Sequence, residues 1–325
     1  MSVLYLLSKG GHVRKESGRI VIEKDNQLVG RVPIRSLTSV VVGPAANIST
    51  PVIFACLENN IPIFFLNPKW QLIGQLANEQ TSVALIRHQF ACLEDDHIAM
   101  QLAKKIVYEK SRNQYRLLKG YSRTVQNPAL TKALKAIKVE MDKITTADTA
   151  DSLRGIEGIC ARSYFSGFST LLDNRTWHFK GRTRPAADPV NALLNFGYAF
   201  LEREVRIAVI GQRLDTRIGF LHSNNDRKDS LVFDLMELFR QPIIDRFVLN
   251  LIRLQVYKPK DFIKGKEGEC LLNDEARNLW YQKYEDYMEK SYQEYDGMTS
   301  RRLIQSRIEK FRQELLSLSL TNNSK

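Results

Sequence analysis

Four residues in this chain have types and spacings that suit phosphoryl chemistry. His222 ends the short apolar run Ile218–Leu221, and Asp234 and Glu237 are the only polar residues between Leu231 and Phe239. The fourth, Glu157, lies in RGIEGICARSYFSGFSTLL over 154–172, where Arg162 is the only other charge after Arg154. Carboxylates in apolar surroundings are costly unless protonated, paired with a cation or bound to metal. An i,i+3 spacing sends the side chains of Asp234 and Glu237 in similar directions from a helix, where they repel unless a cation lies between them. With His222 they form an oxygen and imidazole donor set without thiolate, which suits Mg²⁺ or Mn²⁺ better than structural zinc. Such ions activate a hydroxyl nucleophile and stabilise charge on a phosphate.

Each residue also has an ordinary reading. Glu157 can be paired with an arginine of another helix. Asp234, Glu237, Gln241 and Asp245 can be one solvated helix stripe, and His222 can be structural. Lys180, Arg182 and Arg184 precede a helix start at Asp188-Pro189, with Asn191 in its first turn, which makes either a phosphate grip or a solvated loop. The tail interleaves basic residues with tyrosines such as Tyr284 and Tyr292, for base stacking or for helix packing. There is no Gly-rich phosphate loop, no GxSxG elbow and no HExxH pair.

The elements that must position these residues fall into two regions. Short β-rich runs at Val3–Leu7, Arg19–Glu23, Leu28–Ile34, Leu37–Val42 and Ile61–Leu66 surround one helix, capped by Ser49 or Thr50 with Pro51 in its first turn. The segment from Leu76 to Ser82 reads as a connection. Helical periods follow at Val83–Arg112 (one helix or two), Asn127–Ile144, Arg154–Leu172, Asp188–Gln212, Ser230–Leu254 with a bend at Pro242, and Asp274–Leu320. Arg154–Leu172 is apolar nearly all round, so it is expected to be buried on all sides. The fold class is α+β: a small mostly-β domain over 1–77, a linker over 78–84, and a larger all-α domain over 85–325 that carries the site.

The net charge of +12 over 325 residues favours an anionic partner, nucleic acid before membrane. Only +3 of it falls in the first 80 residues. No apolar run approaches the roughly 20 residues a membrane span needs, and MSVLYLLSKGG lacks the basic start of a signal peptide. Cys56, Cys92, Cys160 and Cys270 are far apart and form no CxxC pair, which fits reduced thiols and a cytoplasmic location.

Three motifs in order carry a family resemblance: GIEGICARSYF around Glu157, RTRPAADPVNALLNFGYAFL from Arg182 to Leu201, and GFLHSNNDRKDSLVFDLMELFRQPIIDRFVLNLI from Gly219 to Ile252. With the IPIFFLN run from Ile61 to Asn67, they resemble the CRISPR-associated endonuclease and integrase of spacer acquisition, the Cas-one family, over nearly the whole chain. The resemblance implies a β domain that dimerises and a helical domain that binds DNA. It implies one Mg²⁺ or Mn²⁺ on Glu157, His222 and Glu237, with Asp234 as an accessory catalytic acid. Lys180, Arg182, Arg184, Asn191 and Tyr164 are the DNA or phosphate candidates. The implied reaction is attack by the 3′-hydroxyl ends of a short duplex fragment on the repeat of a CRISPR array, or nicking when water attacks. The implied partners are DNA, a second copy of the chain in a homodimer, and a dimer of the small Cas-two protein flanked by two such homodimers in a hetero-hexamer, with no membrane. Competing expectations are a stand-alone branched-DNA repair nuclease and a non-catalytic DNA-binding scaffold whose acids only pair with arginines.

Overall fold

A computed structural model describes residues 2–6, 10–25, 27–67, 72–78, 82–222 and 228–318. The chain divides into two compact units, Met1–Gln80 and Thr81–Lys325. Of the expected linker, residues 79–81 lie outside the described residues.

The first unit holds two four-stranded sheets. In one, β1 (Ser2–Leu6), β5 (Leu37–Val42) and β7 (Ile63–Leu66) run parallel, and β8 (Leu72–Leu76) closes the edge antiparallel to β7. In the other, β2 (Gly11–Glu16), β3 (Arg19–Lys24) and β4 (Gln27–Pro33) form an antiparallel meander, and β6 (Asn47–Ile48) pairs parallel with β2. The turn from β2 to β3 uses Ser17 at φ 43° and Gly18 at φ 77°, the left-handed pair a two-residue hairpin needs. Helix α1 (Thr50–Glu58) shares the core through Val52, Ala55 and Cys56, which pack with Val13, Ile20, Val40, Val42 and Ile63. β2, β6 and β8 were not expected. The GHVRKE of β2 has a single large apolar residue, so its pairing comes from its neighbours rather than its own pattern.

The second unit is mostly helical. Asp95 is extended, and its carboxylate accepts from the amides of His97 and Ile98, which separates α2 (Val83–Glu94) from α3 (Asp96–Tyr121). Helices α4 (Pro128–Lys143) and α5 (Ala150–Ser169) pack on α3 and on each other. After the short α6 (Asn174–Trp177) comes α7 (Pro189–Gly211), buried along most of its length. Against α7 lie α8 (Ser230–Met236), a wide π-type turn over Arg240–Asp245, and α9 (Arg246–Arg253). A hairpin of β9 (Phe262–Lys264) and β10 (Cys270–Leu272) interrupts the helices. The helical tail is two helices, α10 (Asp274–Glu289) and α11 (Ser300–Ser317). Arg301 of α11 clasps Glu204 of α7 with Glu285 and Glu289 of α10.

The tail tyrosines pack rather than reach for bases. Tyr284 is fully buried, and the hydroxyls of Tyr287 and Tyr295 both donate to the Pro242 carbonyl. α5 is not buried all round: Leu153, Ile156, Cys160, Tyr164 and Phe168 face the core while Arg154, Gly155, Ile159 and Arg162 are exposed. Its exposed face carries glycine and isoleucine, so composition overstated its burial. Among the described residues no helix is long and apolar enough to cross a membrane. All four cysteines are free.

Candidate functional site

The site begins with a break in a helix. Pro242 has no N–H, so the Leu238 carbonyl four residues earlier has no intrahelical donor. The side-chain amide of Asn113, from α3, donates to it at 2.9 Å. The chain widens here into the π-type turn, a form that often marks functional positions. This turn draws Glu237 and Arg240 inward against α3. The stripe Asp234, Glu237, Gln241 and Asp245 is therefore the reverse of a solvated face, with exposures of 0, 2, 1 and 0%.

Asp234 organises the segment that carries His222. Its Oδ2 accepts from the amides of Phe220 (2.5 Å) and Leu221 (2.9 Å). Its Oδ1 accepts from the amide of His222 (2.9 Å) and from His222 Nδ1 (2.7 Å). A carboxylate has about four lone-pair positions, so these donors fill it and leave no room for a metal. Because the carboxylate can only accept, Nδ1 carries the proton and neutral His222 keeps its lone pair on Nε2. The ring is 42% exposed, so that nitrogen is accessible.

Two further residues hold this segment. A Cβ on Gly219 would lie 2.7 Å from the Ser230 carbonyl carbon and 2.8 Å from Asp234 Oδ2, so only glycine allows the approach. Gln89 of α2, fully buried, donates to the carbonyls of Asp215 and Ile218 and accepts from the amide of Asp215. Both were missed in the sequence. A glycine three residues before His222 was the available signal; for Gln89 there was none.

Glu157 on α5 and Glu237 meet at Lys110, whose Nζ lies 2.5 Å from Glu157 Oε1 and 2.8 Å from Glu237 Oε2. The cation facing Glu157 is thus a lysine, where the ordinary reading had an arginine of another helix. Arg240 adds its guanidinium 3.4 Å from Glu237 Oε1. Burial pushes the Glu237 carboxyl upward, but Arg240 and Lys110 outweigh it, with a smaller contribution from His222, and hold it below the usual glutamate value. Burial opposes the charge on Lys110, yet Glu237 and Glu157 raise its pKa. Lys110 sits in the buried stripe Ala103, Val107, Lys110, Gln114 and Leu117 of α3, and a lysine in such a stripe is the signal that could have found it.

The site offers part of what a divalent ion needs. Glu237 Oε2 is buried and has no aligned hydrogen-bond donor, despite the nearby ammonium. Together with Glu157 and Nε2 of His222 it makes a hard donor set of the right chemistry. Among the described residues no three such groups are closed around one point as they stand. The acids instead stand open around Lys110.

The expected DNA contacts divide. Tyr164 cannot touch DNA: it is fully buried, and its hydroxyl donates to Asp245 at 2.7 Å. Tyr198 donates to the other oxygen of Asp245 at 2.5 Å. Burial lifts the Asp245 carboxyl to about 6, against the two tyrosine hydrogen bonds and the charges of Arg182 and Arg240. Asn191 is also fully buried, donating to the Gly181 carbonyl and Asp188 and accepting from Arg182 and the Thr183 amide. Arg182 bonds Asn191 and Asn195 and lies over the Tyr198 ring at 5.1 Å, so it ties the loop to α7. Lys180 and Arg184 are exposed.

Residues 4–286 match the family model described as CRISPR associated protein Cas1. The chain is 33% identical over 285 residues to a CRISPR-associated endonuclease Cas1 of Thermus thermophilus, covering 87% of this chain and 85% of that one. It is 32% identical over 289 residues to its counterpart in Archaeoglobus fulgidus, with 83% of each covered. Its structure is similar to that of a CAS1 protein from Thermotoga maritima, with a TM-score of 0.81, 27% identity and full coverage of both chains. A family match across most of the sequence, two relatives above 30% identity and a shared fold place this chain in the Cas1 family.

Proposed function

We propose that the chain is a metal-dependent DNA endonuclease and integrase of CRISPR adaptation. One observation carries this best: Asp234 is saturated by four donors, and its bond to Nδ1 leaves the Nε2 lone pair of His222 accessible in the segment that also bears Glu237. Glu157, Glu237 and Nε2 of His222 would hold one Mg²⁺ or Mn²⁺. When bound, such an ion activates a hydroxyl nucleophile and offsets charge on a phosphodiester. Asp234 fixes the tautomer and orientation of His222. Arg240 keeps Glu237 ionised. The exposed Lys180 and Arg184 supply charge for the DNA backbone. A 3′-hydroxyl nucleophile gives joining of a short fragment to a repeat, and water gives nicking. The partners in this reading are DNA, a second copy and a small Cas2-type dimer, in the cytoplasm.

The test is strand transfer of a labelled duplex with 3′-hydroxyl ends into a supercoiled plasmid bearing a repeat, with Mn²⁺ or Mg²⁺ and the small partner. Joined product that disappears on Glu157→Ala or His222→Ala, with DNA binding kept, supports the integrase. Cleavage without joining favours a stand-alone nuclease. Activity unchanged in both variants would falsify the metal site.

A further inference from the structure

We propose that Lys110 is the resident counter-cation of the acid pair, filling the place between Glu157 and Glu237 that a divalent ion takes, and that it yields this place when the ion binds. This rests on the metal-dependent reading proposed above.

The geometry is that of a bridging cation. Lys110, Glu157 and Glu237 come from α3, α5 and the turn after α8, and the ammonium pairs with both acids. Their oxygens can be no further apart than the two ion-pair distances laid end to end. Shared coordination of one small ion asks for about 3 Å between neighbouring ligand atoms. A modest closure around the ammonium's position would therefore suffice. The orphaned Glu237 Oε2 points the same way, since the ammonium sits close by charge but out of hydrogen-bond line.

Charge balance supplies the second argument. Glu157 and Glu237 face Lys110 and Arg240, two negative groups against two positive. A divalent ion brought to the same two carboxylates meets the repulsion of both resident cations, and that repulsion is relieved when one of them withdraws. Arg240 is held over the Tyr198 ring at 4.8 Å. Lys110 is a compact charge on a flexible stem, and it occupies the contested position. A lysine with a purely structural role would instead stabilise the metal-free and metal-bound states alike.

The experiment compares wild type, Lys110→Met and Lys110→Gln as full chains. Thermal unfolding is followed in EDTA and in saturating Mn²⁺, and Mn²⁺ affinity is measured by calorimetry. In EDTA the variants should lose about 5 °C or more, as two carboxylates are left facing each other. Mn²⁺ should recover most of that loss, and its affinity should rise about tenfold once the competitor is gone. Unchanged or weaker Mn²⁺ binding by the variants, with wild type binding normally, overturns the inference alone. Absence of Mn²⁺ binding by wild type overturns the metal reading and this inference with it. A variant that folds only with Mn²⁺ supports the exchange; if neither variant folds in either condition, the lysine is structural and the inference fails.

Discussion

Asp234→Asn separates an orienting acid from a metal ligand. Asp234 now serves four donors: the amides of Phe220, Leu221 and His222, and His222 Nδ1. Asparagine offers one oxygen and an amide nitrogen that only donates. If its oxygen stays with Phe220 and Leu221, the nitrogen faces two donors on His222. Each lost hydrogen bond to the charged group is worth about 1.5–3 kcal/mol, so about 3–6 kcal/mol is at stake. The imidazole can relieve half the conflict by moving its proton to Nε2 and accepting at Nδ1. The lone pair is then on the wrong nitrogen. Mn²⁺ affinity should fall about 10–100-fold, the usual effect of losing a group that orients a ligand. Calorimetric Mn²⁺ titration and nitrogen NMR of His222 measure both consequences. Glu237→Gln should also lose metal, but with Nδ1 still protonated. Refutation would be an Asp234→Asn protein that binds Mn²⁺ as wild type does, or one that loses metal with its tautomer unchanged.

Other outcomes follow from the same geometry. Gly219→Ala forces a methyl against the Ser230 backbone and Asp234, and should cost about 1–3 kcal/mol in urea unfolding together with most of the strand-transfer rate. The Asp245 carboxyl is raised by burial from 3.8 to about 6, so the folded state binds the proton more tightly than the unfolded. Its contribution to stability is therefore greatest below pH 4, declines as pH rises from about 4 to 6, and is then constant at a deficit of about 3 kcal/mol. Asp245→Asn should remove that slope, and parallel pH curves for the two proteins would contradict it. Lys180→Ala and Arg184→Ala should each lower the salt dependence of DNA binding by about one unit of slope. Arg182→Ala should instead lower the melting temperature, since its guanidinium is held by Asn191 and Asn195.

The α+β class, the helix starts at Asn127, Asp188 and Ser230, and Glu157, His222, Asp234 and Glu237 as the residues of interest were legible in the sequence. Capping residues and apolar periods are local, and lone charges in apolar runs stand out. Strand β2 was not legible, because its pairing is decided by β3 and β6 rather than by its own polar residues. The stripe from Asp234 to Asp245 taken alone read more readily as a wet face. Helical spacing says which residues share a side, not what that side meets.

The amino-acid sequence by itself determined which groups could do chemistry and in what order they lie. Tertiary structure alone decided what each of them faces. Asp234 and Glu237 are three residues apart, yet one is saturated by three backbone amides and the His222 ring and the other is left facing a lysine from α3. Tyr164 and Asn191, plausible on the surface, are sealed inside. The physical reason is the same in each case. A polar group's function depends on which of its lone pairs and protons are already taken, and residues distant in sequence take them.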